Sequence, residues 1–193
     1  MKILGITGGI GSGKSFVCSV MREEFHIPVY DCDAEAKRLM NADASICQEL
    51  SQLVGEQVLD SEGHINRHEL ASYLFASDEH ADQVNAIVHP VVRHDFHQWC
   101  SAQQAQVVAM ESAILYESGF DAEVDSVVFV DAPIADRLAR AARRDQCSET
   151  EVRNRMARQS DSLARRCASW VIFNDKNTTR ETIIKQLKRI VLC

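Results

Sequence analysis

Lys2-Ile3-Leu4-Gly5-Ile6-Thr7-Gly8-Gly9-Ile10-Gly11-Ser12-Gly13-Lys14-Ser15 decides the fold. It holds an apolar run long enough for a buried strand, then a glycine-rich turn. From Phe16 to Phe25 the spacing is that of an amphipathic helix. The turn fits G-x-x-x-x-G-K-[ST], with Gly8 and Gly13 as the fixed glycines. Without a Cβ, such glycines let backbone N–H groups close on an anion, and the helix N-terminus behind them adds partial positive charge. Lys14 supplies a point charge for β- and γ-phosphates, and the Ser15 hydroxyl is placed to ligate Mg²⁺. Two fixed glycines followed by Lys and Ser/Thr arise by chance on the order of once in 10⁴ positions. The segment therefore reads as a cradle for a nucleoside triphosphate.

At 193 residues, 46% hydrophobic and 25% charged, the chain has room for one globular core with an insertion or a small appendage. A net charge of −7 argues against general affinity for nucleic acid. That charge is uneven: positions 137–166 carry nine arginines (137, 140, 143, 144, 153, 155, 158, 165, 166) against four acids. A basic stretch on an acidic chain points to a local anionic ligand. Seven scattered cysteines, with no C-x-x-C pair and no signal peptide, lead us to expect a reducing, cytoplasmic setting. No apolar run approaches the roughly 20 residues of a membrane span.

Downstream, Ile27–Asp31 reads as a second strand and Asp33 falls just past its carboxyl end, the edge where open α/β sheets bind ligands. Asp33 suits a helix N-cap, a role compatible with orienting and deprotonating an attacking hydroxyl. Residues 45–99 are helical in period and polar, with a turn expected over 59–63. They form an insertion too long for a plain crossover and suited to hold a second substrate. His64/His68 and His94/His97 share helix faces but have no third ligand at motif spacing, so they read as solvated faces. The proline of His89-Pro90 predicts a helix break or start.

Gln106–Ser112, Asp125–Asp131 and Ala168–Asn174 read as three further strands, and Thr178–Leu192 as a closing helix. Glu111 ends its strand as a candidate for Mg²⁺ or its waters, and alternatively as a cap of the next turn. Asn174 suits contact with adenine or a turn cap. Arg137, Arg140, Arg143 and Arg144 recur at helical spacing, and all nine basic residues of the stretch are Arg, the forked donor suited to phosphate. They predict a helical-hairpin lid over ATP. The alternative is exposed arginines paired with Glu149 and Glu151.

Together and in this order, Gly5–Ser15, Asp31-Cys32-Asp33, Val88-His89-Pro90, Glu111–Gly119, the Arg-rich stretch with Arg155-x-x-Arg158-Gln159, and Ile172-Phe173-Asn174 resemble the dephospho-CoA kinase family along nearly the whole chain. The resemblance implies an α/β fold, the P-loop NTPase fold of the nucleotide-kinase type, with a five-stranded parallel sheet flanked by helices. Its core is expected over 1–32, 100–136 and 167–193, a helical CoA- or acceptor-binding insertion over 33–99, and an Arg-rich lid over 137–166. It implies transfer of the ATP γ-phosphoryl group, with Mg²⁺, to the ribose 3′-hydroxyl of dephospho-CoA, the last step of coenzyme A synthesis. No membrane or nucleic-acid partner is expected, and the assembly is expected to be a monomer or small homo-oligomer.

Carried onto this chain, Gly8, Gly9, Gly11, Ser12, Gly13, Lys14, Ser15 and Phe16 hold ATP, with Arg143 and Asn174. Asp33 activates the acceptor hydroxyl, with Thr7 and His89 also on the substrate side. Lys14 and Arg140 stabilise the transferring phosphoryl, and Ser15 and Glu111 serve Mg²⁺. Two positions depart from the family pattern. Phe16 stands where the family usually has Thr, and Glu111-Ser112-Ala113-Ile114-Leu115 where it usually reads Asp-Ile/Val-Pro-Leu-Leu, so the carboxylate is kept on a longer stem and the proline is lost. A kinase of another small hydroxyl acceptor, or a non-catalytic ATP-binding regulator, would share the loop. A GTPase would need Asn-Lys-x-Asp, and Asn174-Asp175-Lys176-Asn177 lacks that order.

Overall fold

The computed structural model describes residues 1–157, 159 and 161–192; Arg158 and Cys193 therefore lie outside the described residues. In chain order the elements are β1 (Lys2–Thr7), α1 (Lys14–Phe25), β2 (Val29–Asp31), α2 (Cys32–Ala42), α3 (Ala44–Val54), α4 (Arg67–Leu74), α5 (Asp78–Ser101), β3 (Val107–Glu111), β4 (Ser126–Asp131), α6 (Ile134–Asp145), α7 (Glu149–Met156), α8 (Asp161–Cys167), β5 (Trp170–Phe173) and α9 (Arg180–Val191). Short 3₁₀ turns occupy Glu56–Val58 and Phe120–Glu123. The chain divides into two units, residues 1–31 with 103–193 and residues 32–102.

The first unit is built on a parallel sheet in the order β2-β3-β1-β4-β5. Its strands are nearly continuous apolar runs because helices cover the sheet, as parallel sheets require. Leu4, Ile6, Val128, Val130 and Ile172 pack with Val17, Val20 and Met21 of α1 and with Ile183, Leu187 and Ile190 of α9. Truncating Leu187, which is fully buried, would leave a cavity in this layer and cost about 2–5 kcal/mol. α1 ends at His26 in a left-handed conformation, its N–H on the Met21 carbonyl, and Pro28 blocks continuation. The register sets Glu111 beside Ile6 on one side and Asp31 on the other. The ends of β1, β2 and β3 are thereby level where the glycine loop departs.

The second unit is helical. α5 buries Val84, Val88, Val92, Phe96 and Cys100 at four-residue steps, and α2, α3 and α4 pack on it. The break expected at Pro90 does not occur: the proline lies inside α5. A proline inside a helix, through its lost hydrogen bond and its ring clash together, costs about 3 kcal/mol, whereas each buried side chain contributes about 1.5–3 kcal/mol. Ala86, whose carbonyl loses its donor, and Pro90 are both exposed, so that carbonyl is on the wet side of the helix. The turn expected over 59–63 forms: the Asp60 carboxylate accepts from the N–H groups of Glu62 and His64, both at 2.9 Å. His64, His68, His94 and His97 are exposed. α2 starts at Cys32, directly after β2, so Asp33 is a first-turn residue rather than an N-cap.

Candidate functional site

The glycine loop leaves β1 at the buried Thr7 and enters α1 at Gly13, the left-handed N-cap, which brings no side chain to the first-turn amides. Its glycines answer to protein neighbours as well as to any anion. A Cβ on Gly11 would strike the Arg137 backbone, and one on Gly13 the Asn174 side-chain amide; both residues have positive φ. Three cations end on loop carbonyls two residues apart. Lys14 Nζ donates to Gly8 O at 2.8 Å, Arg137 Nε to Ile10 O at 2.9 Å, and Arg140 to Ser12 O at 3.4 Å and Asn174 O at 2.9 Å. The Asn174 side chain donates to Ser12 O at 2.8 Å, and its own N–H bonds the Asp131 carbonyl at 2.8 Å. Asn174 thus ties the loop to the end of β4, a role the sequence alone did not suggest.

Beside the loop, the Ser15 hydroxyl donates to Glu111 Oε1 at 3.1 Å. Glu111 is 7% exposed at the end of β3. The longer stem of Glu relative to Asp thus still delivers a carboxylate oxygen to the loop's serine. Cys18, one turn into α1, lies beneath this pair, and burial, then the neighbouring Glu111, holds its thiol well above the usual range. It is a core group rather than a nucleophile.

The arginines divide. Arg137 is buried in α6 and Arg140 is engaged with the loop, while Arg143 is exposed. Farther along, the expected alternative partners Glu149 and Glu151 are not the ones used by the pairs the structure defines. Glu151 closes a capping box with Ser148 at the start of α7. Arg144 and Arg155 both meet Asp145 at 2.7 Å, and Arg165 meets Asp131 at 3.0 Å. Asp131 and Arg165 form part of the wall of a cavity of about 450 Å³ that also borders Arg137, Phe129 and Phe173. Gln159, which the sequence offers only as part of a motif, accepts through its side-chain Oε1 from the Ile10 N–H at 2.9 Å.

Gly8, Gly9, Gly11, Ser12, Gly13, Lys14, Ser15, Glu111, Arg140 and Asn174 therefore converge at one end of the sheet. Phe16 follows in the first turn of α1, exposed, with its N–H on the Gly13 carbonyl at 3.1 Å. Asp33 and His89 belong to the helical unit: Asp33 is exposed in the first turn of α2, and His89 is half-buried in α5. Burial, then the charge of Arg93 one turn on, lowers the His89 pKa.

A parallel sheet in this order, with a phosphate loop after its first strand and a Ser–carboxylate pair beside that loop, defines a P-loop kinase fold. A family model described as dephospho-CoA kinase matches residues 2–180. The dephospho-CoA kinase of Bacteroides fragilis strain YCH46 is 49% identical over 174 residues, covering 89% of this chain and 84% of its own length. That of Porphyromonas gingivalis is 40% identical over 193 residues, covering 99% and 93%. The crystal structure of TT1252 from Thermus thermophilus matches with a TM-score of 0.85 at 33% identity, covering 99% of this chain and 96% of that one. Shikimate kinase from Acinetobacter baumannii, at a TM-score of 0.59, 18% identity, and 100% and 94% coverage, shares the fold alone. The chain belongs to the dephospho-CoA kinase family, kinases that use ATP to phosphorylate dephospho-CoA.

Proposed function

We propose that this chain transfers the γ-phosphoryl group of ATP to the ribose 3′-hydroxyl of dephospho-CoA, completing coenzyme A. The observation that carries the proposal is the meeting of Ser15 and Glu111 beside the phosphate loop, at 3.1 Å, in a chain matched to the family over residues 2–180. Gly8, Gly9, Gly11, Ser12 and Gly13 cradle the phosphates. The Ser12 hydroxyl is 1% exposed and has no protein partner among the described residues, as suits a group reserved for a ligand. Lys14 exchanges the Gly8 carbonyl for β- and γ-oxygens, and Arg140 exchanges its carbonyl partners for the transferring phosphoryl. Both exchanges favour the anion, because a carbonyl oxygen carries only a partial charge whereas a phosphate oxygen adds the direct attraction of opposite formal charges.

The Ser15 hydroxyl and Glu111 carboxylate are hard oxygen donors at a spacing that fits Mg²⁺, an ion that keeps water and substrate oxygens as its other ligands. When bound, it neutralises charge on the β- and γ-oxygens. Asp33 accepts a hydrogen bond from the acceptor hydroxyl and orients it. Loose phosphoryl-transfer transition states need little prior deprotonation, so orientation is its larger contribution. His89 and Thr7 serve the acceptor side, and Phe16, Arg143 and Asn174 the nucleotide side. Residues 33–99 carry the acceptor, residues 137–166 close over ATP, and the enzyme works in the cytoplasm.

The test is ADP release from Mg-ATP with dephospho-CoA, and with adenosine, shikimate and gluconate as comparison acceptors. Release that depends on dephospho-CoA, with CoA as product, supports the assignment. Release with another acceptor keeps the kinase and discards the acceptor, and ATP binding without transfer to any acceptor favours a regulator.

A further inference from the structure

Ile10 fills a position that the loop motif leaves open, yet all three of its parts are held by the segment after β4. Its N–H donates to Gln159 Oε1 at 2.9 Å. Its carbonyl accepts from Arg137 Nε at 2.9 Å. Its side chain packs against the small apolar cluster of Leu138, Ala141 and Val152, which joins α6 to α7. The neighbouring Gly11 has room for no Cβ against the Arg137 backbone, so the first turn of α6 rests on the loop itself. A phosphate cradle works by aiming its N–H groups inward, and at Ile10 the N–H is instead tied to a residue 149 positions away.

From this geometry we infer that Gln159 is a positioning residue for phosphoryl transfer. Acting through Ile10, it fixes the phosphate loop in its binding conformation and couples the loop to the helical segment 134–156. This rests on the kinase assignment for its effect on ATP, but the coupling itself is a property of the chain without ligand. Lone hydrogen bonds across a loop contribute little, but here the bond cooperates with a buried cation and an apolar knob. Loss of the Gln159 acceptor therefore releases a joint rather than a single contact. Because the loop would have to be reordered on binding, the effect falls on ATP affinity more than on the acceptor.

The experiment is amide hydrogen exchange by NMR on the nucleotide-free protein, paired with steady-state kinetics, for wild type, Gln159→Met, Gln159→Glu and Ile10→Ala. Gln159→Met keeps the length and removes the acceptor; we expect the Ile10 amide to exchange about three- to tenfold faster, the range for one hydrogen bond. The KM for ATP rises by a similar factor, while the KM for dephospho-CoA stays within about twofold. Gln159→Glu keeps an acceptor oxygen and restores Ile10 protection, whatever its added charge does to ATP binding. Ile10→Ala leaves the backbone bonds and lowers protection in α7.

Unchanged Ile10 exchange in Gln159→Met overturns the inference, as does faster exchange with equal rises in both KM values, which would mark a general structural role. If exchange changes as expected while no acceptor is phosphorylated, the coupling stands and the kinase assignment fails.

Discussion

Two sets of cations, drawn partly from one arginine-rich stretch, end differently. The inner set, Lys14, Arg137 and Arg140, lands on the carbonyls of Gly8, Ile10 and Ser12. The outer set, Arg144, Arg155 and Arg165, lands on the carboxylates of Asp145 and Asp131. Residue type is the same for five of the six, so type does not decide the task; the partner does. A cation on a neutral carbonyl exchanges readily for an anionic oxygen, whereas one on a carboxylate is already satisfied. On the proposed function Lys14 and Arg140 turn to phosphate while Arg137 keeps the Ile10 carbonyl in place, and the outer set holds α6, α7 and α8 in shape.

The difference can be broken most sharply at Lys14. Lys14→Ala should lower turnover by about 10²–10³-fold, the range for removing one group that stabilises developing charge, with the thermal midpoint nearly unchanged. An initial-rate assay and a melting curve on the same sample check it, and near-normal turnover would remove Lys14 from the inner set. Next in size, Arg137→Met keeps a long apolar stem but leaves the Ile10 carbonyl without this donor. The cost should be about 1–3 kcal/mol of stability, read from urea unfolding, with a rise in the KM for ATP.

The outer set predicts smaller effects. Asp145→Asn removes the shared carboxylate of two partly exposed arginines, and pairs of that kind contribute about 0.2–1 kcal/mol each. Unfolding midpoints at low and at high salt should show a small loss that salt shrinks, with turnover unchanged. A large loss of turnover would erase the distinction between the two sets. The smallest effect is with pH. The hydrogen bonds from Arg144, then Arg155, hold the Asp145 carboxyl well below the usual carboxylate range. Its folded pKa lies below its unfolded one, so its contribution is complete above the unfolded value near 4 and fades as pH falls through the folded value. The stability gap between wild type and Asp145→Asn should therefore be full at pH 6 and narrower at pH 3; a gap that widens on acidification would contradict the pairing.

Much of the first unit was legible before folding. Lys2–Thr7, the loop and α1 follow from local chemistry, and the buried strands follow from apolar runs that end within one or two residues of their expected limits. Glu111 was legible as a carboxylate that ends a buried strand, with a turn cap as its other reading, and the register with Ile6 brings it to Ser15. Pro90 misled, because one proline is a local signal while the five buried residues of α5 act together. The acids that pair with Arg144, Arg155 and Arg165 differ from those of the alternative reading for a related reason. Glu149 and Glu151 are near in sequence, but capping α7 engages Glu151 and the bend between helices brings Asp145 to the arginines.

The sequence by itself determined that this chain binds a nucleotide's phosphates, because glycine, lysine and serine at fixed spacing have a chemistry that needs no distant partner. It determined the α/β class as well, since strand and helix periods are local. Only the tertiary structure decided that Asn174 clamps Ser12, that Arg137 is buried on Ile10, and that Gln159 reaches back across 149 positions. Such contacts depend on where folding brings the chain together, and nothing in the spacing of these residues encodes that approach.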